Sequence, residues 1–81
     1  MSETIARLTE IFRQVFENDA LAIQRETSAK DIEGWDSLMH VTLLVNVEKD
    51  FGIRFTSTEV ASLKDVGELA DLVEKRRAAK S

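Results

Sequence analysis

Apolar side chains recur at spacings of three and four near the start of the chain: Ile5, Leu8, Ile11, Phe12, Val15 and Phe16. That spacing places them on one face of an amphipathic helix. Ser2 or Thr4 is positioned to cap its start, and Asn18-Asp19 ends the pattern. Over residues 20–32, Leu21, Ile23 and Ile32 lose helical spacing. This predicts a long ordered loop pinned by those side chains, with a single turn at 27–31. A second helix is predicted from Asp36-Ser37 to about Asp50, with Asp36 as N-cap and Gly52 as its left-handed stop. Thr56 with Glu59 has the capping-box form and opens a short third helix that runs to about Ser62. Asp65 with Glu68 repeats that logic before a last helix whose buried stripe is Val66, Leu69, Ala70, Leu72 and Val73. The basic residues Lys75, Arg76, Arg77 and Lys80 suit the negative end of that helix, with fraying expected from about 75 to 81. The predicted fold is all-α: a four-helix bundle with a short third helix and a long loop between helices one and two.

The second helix holds more apolar residues than one buried face needs. At about 100° per residue, Leu43, Leu44, Val47 and Phe51 fall on one side. Leu38, Val41 and Val45 fall on nearly the opposite side. Either the helix is central and packs on both faces, or the stripe beside Ser37 is left open for partners.

Composition narrows the chemistry. The 81 residues form one domain, 1–81, and a chain this short buries only about 60% of its unfolded surface. There is no cysteine, which excludes disulfides, thiolate nucleophiles and Cys-ligated metals, and one histidine cannot build a metal cage. A formal charge of −4 disfavours nucleic acid as a partner and favours basic protein surfaces. No apolar run reaches the roughly 20 residues of a membrane span. Met1-Ser2-Glu3-Thr4-Ile5 lacks a secretory signature, so the expected location is the cytoplasm.

Few residues suggest catalysis. Ser37 and His40 are three apart, but a nucleophile and base on one helical turn align poorly, and no oxyanion loop accompanies them. Asp31, Glu33 and Asp36 flank Gly34 without the spacing of a calcium loop, and three scattered glycines make no phosphate cradle. No enzyme is expected. The remaining feature is Gly34-Trp35-Asp36-Ser37-Leu38, which sets a serine hydroxyl at the positive end of a helix. By physics alone, Ser37 is a good first-turn residue beside its cap.

Asp36-Ser37-Leu38 at the head of an apolar helix resembles the attachment motif of acyl carrier proteins. The resemblance extends from residues 31–38 through Val41, Leu44, Glu48, Phe51-Gly52-Ile53 and Phe55 to Val60, Leu63, Val66-Gly67 and Leu69. It spans about residues 8 to 73. It implies that Ser37 carries 4′-phosphopantetheine, added by a phosphopantetheinyl transferase with coenzyme A, and that Asp36 belongs to the recognition motif. The cargo is then an acyl or aminoacyl thioester, exchanged with acyl-activating, acyltransferase or synthase enzymes by a monomeric carrier. Leu38, Val41, Val45 and Glu48 become the partner face. The chain departs from carriers of fatty-acid synthesis in holding Met39, Thr42 and Lys49 where those tend to hold carboxylates, and in Trp35. These differences suggest a discrete carrier of a specialised pathway. The alternative is a small helical interaction domain without a prosthetic group.

Overall fold

A computed structural model describes residues 3–80 of the chain. The first apolar stripe produces α1, Glu3–Val15, which buries Leu8, Ile11 and Phe12. Thr4 lies inside its first turn and is buried, so it is not the cap that its position allowed. Ser2 lies outside the described residues. The end of α1 is a Schellman motif. Asn18 N–H bonds Arg13 C=O at 3.0 Å and Glu17 N–H bonds Gln14 C=O at 3.3 Å. Glu17 adopts φ 53° there, a left-handed conformation in which a side chain is strained.

Helix α2, Ser37–Phe51, starts and stops as its sequence predicts. Asp36 is extended, and its Oδ1 accepts from Met39 N–H at 2.9 Å. Gly52, at φ 68°, ends the helix by donating to Glu48 C=O at 2.8 Å. The short α3, Ser57–Ser62, has the complete capping box. Thr56 Oγ1 accepts from Glu59 N–H at 3.1 Å, and Glu59 Oε1 accepts from Thr56 N–H at 2.9 Å.

Helix α4, Val66–Lys80, departs from the expected pattern in three places. Asp65 Oδ1 accepts from Glu68 N–H at 2.9 Å, but Glu68 Oε1 accepts from Lys64 N–H rather than from Asp65. Asp65 also lies opposite Ser28 of the loop in an isolated antiparallel bridge. Leu72 is only half-buried, because the core-facing arc is filled by Val66, Leu69, Ala70 and Val73. The basic end is helical through Lys80 rather than frayed from about 75. Arg76 donates to Arg54 C=O at 3.1 Å and pairs with Glu59, while Arg77 lies 3.8 Å from Glu3 and 5.3 Å from the centre of the Phe51 ring.

Helix α1 packs against both α2 and α4. Leu43, Leu44, Val47 and Phe51 of α2 join Leu8, Ile11 and Phe12 of α1 and the α4 stripe in one core. The connection over residues 16–36 adds Ile23 and Ile32 to it. The turn expected at 27–31 is present, closed by Asp31 N–H to Ser28 C=O at 2.9 Å. The loop is then fastened to α4 through its backbone. Val66 N–H donates to Thr27 C=O and Gly67 N–H to Arg25 C=O, each at 2.8 Å. A methyl group at Gly67 would sit 3.1 Å from that Arg25 oxygen, so the close approach depends on glycine. On the far side of α2, Leu38, Val41 and Val45 remain 76%, 54% and 41% exposed. Of the two readings of this helix, the open stripe is the one that occurs.

Two expectations follow from the packing. Phe51→Ala removes a buried ring flanked by Arg7 and Arg77 and should cost about 3–5 kcal/mol in chemical denaturation. Val41→Ala should cost less than about 1 kcal/mol; equal losses would mean that the faces of α2 are reversed. The second expectation concerns acid. The Thr56 N–H bond, assisted by Arg76 and opposed by partial burial, holds the Glu59 carboxyl below its ordinary range. A carboxylate depressed on folding adds stability above its unfolded pKa and loses it as pH falls through the folded value. Glu59→Gln should therefore melt lower than wild type at neutral pH, and the gap should close in acid. A gap independent of pH would remove Glu59 from the acid response.

Candidate functional site

The site is built from the junction of the long loop and α2. Ser37 is the first residue of α2, directly after the Asp36 cap, and is exposed. Its placement follows from two local bonds. The Asp36 carboxylate holds Met39 N–H, and Asp36 C=O accepts from His40 N–H at 2.8 Å, the first helical bond. Ser37 thus projects its hydroxyl from the positive end of a four-turn helix. An anion esterified there lies beside the amides of the first helical turn, while the Asp36 carboxylate is turned onto Met39 N–H.

Beside Ser37 an open groove of about 860 Å³ runs between α2 and α3. Trp35, His40 and Val41 border it from the loop and α2, and Val60 and Leu63 from α3 and its end. An exposed hydroxyl at the mouth of a partly apolar groove fits a long, flexible prosthetic arm. The groove itself could not be read from the sequence, where Val60 and Leu63 stand only as positions that match the family pattern.

His40 has no free nitrogen for Ser37. The Trp35 indole can only donate, so His40 Nδ1 accepts from Trp35 Nε1–H at 3.1 Å. Val60 C=O can only accept, so His40 Nε2–H donates to it at 2.9 Å. The two rings lie edge to edge along this bond, with planes 24° apart and ring centres 5.9 Å apart. His40 is therefore a brace between loop, α2 and α3, not a base. Two of the three loop acids serve the backbone: Asp31 Oδ2 accepts from Ser28 N–H at 3.0 Å, and Asp36 caps α2.

The partner-face residues divide. Leu38, Val41 and Val45 form the exposed stripe that leads away from Ser37. Glu48 is half-buried, and its Oε2 accepts from Phe55 N–H at 2.8 Å, which shapes the chain after α2. Asp50, the other acid at this end of the helix, is held by Arg7 at 2.6 Å.

Comparison with known proteins identifies the family of this four-helix bundle. Residues 6–73 match the family model described as a phosphopantetheine attachment site. The chain is 33% identical over 76 residues to an acyl carrier protein of Micrococcus luteus, covering 94% of each chain. It is 34% identical over 71 residues to one of Myxococcus xanthus, covering 88% of this chain and 90% of that one. Its fold is similar to the solution structure of a holo acyl carrier protein from Geobacter metallireducens, with TM-score 0.90 and 51% identity over 98% of this chain and 91% of that one. The crystal structure of an acyl carrier protein from Thermotoga maritima is similar at TM-score 0.83 and 26% identity, over 95% and 89% of the two chains.

The chain belongs to the acyl carrier protein family. Its function is that of an acyl carrier with a covalently attached phosphopantetheine group. The reading as an interaction domain without a prosthetic group falls with that assignment. Among the described residues, no helix is long and apolar enough to cross a membrane.

Proposed function

We propose that Ser37 is the residue that bears 4′-phosphopantetheine, and that the stripe Leu38, Val41 and Val45 is where partner enzymes dock. The observation that carries this reading is the exposed Ser37 hydroxyl, set on the first turn of a capped helix at the mouth of the α2–α3 groove. Ser37 Oγ accepts the phosphodiester, Asp36 keeps the helix end that presents it, and the groove shelters whatever the arm carries. When attached, the group supplies the thiol that a cysteine-free chain lacks, and with it a thioester for an acyl or aminoacyl cargo.

A phosphopantetheinyl transferase using coenzyme A loads Ser37. Acyl-activating, acyltransferase or synthase enzymes then exchange cargo with the loaded monomer in the cytoplasm. The docking face is apolar, and the nearby acids Glu48 and Asp50 are engaged within the chain, which leaves Lys49 as its exposed neighbour. A strongly basic partner surface finds little to pair with there, which supports a discrete carrier of a specialised pathway. Glu48 contributes to this face chiefly by shaping the chain behind it.

Treatment with a broad transferase and coenzyme A tests the assignment. Ser37→Ala should keep its helicity and stay within about 1 kcal/mol of wild type, yet gain no mass. Asp36→Ala should lose about 1 kcal/mol with the cap and be modified more slowly, because the acceptor remains. Mass gained by Ser37→Ala would place the acceptor elsewhere.

A further inference from the structure

The chain has one tryptophan and one histidine, and the fold joins them at the groove. Trp35 stands between two environments. One side borders the groove beside Ser37. The other meets the aromatic core, edge-on to Phe12 at 5.3 Å and tilted against Phe16 at 6.2 Å between ring centres. Phe12 itself is fully buried. An indole that is only half-buried can leave its place by a rotamer change unless something holds it. Here the Nε1–H bond to His40 holds it, and His40 is in turn fixed by Val60 C=O from α3. Loop, α2 and α3, the segments that border the groove, are tied by this one chain of two hydrogen bonds.

We infer that Trp35, positioned by His40, is the wall that keeps a cargo lodged in the α2–α3 groove out of the aromatic core and so limits how deep a cargo chain reaches. The inference rests on the proposal that Ser37 bears the arm. An apolar chain lying on the groove side touches Val41, Val60 and Leu63 without disturbing the brace. To go further it must displace the indole, break the bond to His40 and enter against Phe12. Trp35 is thus a specificity-determining residue for cargo, and His40 a positioning residue that acts through it.

The test loads wild-type, Trp35→Ala and His40→Phe proteins with butyryl, octanoyl and dodecanoyl pantetheine, using the transferase and the matching coenzyme A thioesters. Intact mass is read first, then NMR spectra of side-chain methyls, aromatic rings and the indole N–H. In wild type, all three cargoes should shift Val41 and Val60 methyls and leave the Phe12 ring and indole N–H unmoved. In Trp35→Ala, octanoyl and dodecanoyl should shift Phe12. His40→Phe keeps an aromatic ring of similar bulk but deletes both hydrogen bonds, and should behave like Trp35→Ala with the longer chains. Should Trp35→Ala fail to fold, as judged by circular dichroism, the wild-type and His40→Phe arms decide. Dodecanoyl shifting Phe12 in wild type, or Trp35→Ala matching wild type, overturns the wall. His40→Phe matching wild type overturns its positioning by His40. Absence of mass gain in wild type overturns the Ser37 reading and the wall with it, whereas mass gain with a contrary spectrum leaves that reading standing and overturns only the wall or its positioning by His40, as stated for each.

Discussion

The structure depends on how the first amides of α4 are satisfied. A helix begins with N–H groups that have no partner within it, and α4 finds two of its partners in the long loop: Thr27 C=O for Val66 and Arg25 C=O for Gly67. Two more amides are met locally, since Asp65 takes Glu68 N–H through Oδ1 and Leu69 N–H through its carbonyl. This exchange gives the connection over residues 16–36 a fixed course without a helix or strand of its own. Because the loop is fixed, Ile23 and Ile32 reach the core, and Trp35 meets Phe12. The loop also delivers Asp36 and Ser37 to the head of α2 at a defined place. Gly67 is the condition for it, because a side chain there would press on the Arg25 carbonyl.

Helix α2 then divides its surface between stability and exchange. Its inner face carries Leu43, Leu44, Val47 and Phe51 into a core that a domain of this size cannot thin further. Its outer face leaves Leu38, Val41 and Val45 in water, an apolar strip beside Ser37 that the core does not need and that the proposed function assigns to docking. Charge follows the same division. The chain is acidic as a whole, yet Asp36, Glu48 and Asp50 each serve an internal bond, so the strip is not ringed by free carboxylates.

Elements governed by neighbours in sequence were legible before the structure. The Asp36 cap, the Thr56–Glu59 box, the Gly52 stop and the two faces of α2 all rest on spacings of a few residues. Elements governed by distant backbone contacts were not. The bonds from α4 to Arg25 and Thr27 use main-chain atoms, which leave no side-chain signature. Residues at 75 and beyond read as a fraying tail because their stabilisers, Glu59, Arg54 C=O and Phe51, lie far off in sequence. At the proposed site, the motif singles out Asp36 and Ser37, and the cap that Asp36 makes was readable from it. The groove and the bonds joining Trp35, His40 and Val60 were not, since they arise only when α3 comes to lie against α2.

The central claim is that this carrier presents its arm from Ser37. Fragment mapping by mass spectrometry after transferase treatment of the unmutated protein tests it most directly. Trypsin releases the segment 31–49, bounded by Lys30 and Lys49, which contains Ser37 and Thr42. The account predicts all of the added phosphopantetheine in that segment, localised by fragmentation to Ser37. Added mass on Thr42, or in the segment 55–64 that holds Thr56, Ser57, Thr58 and Ser62, would contradict it.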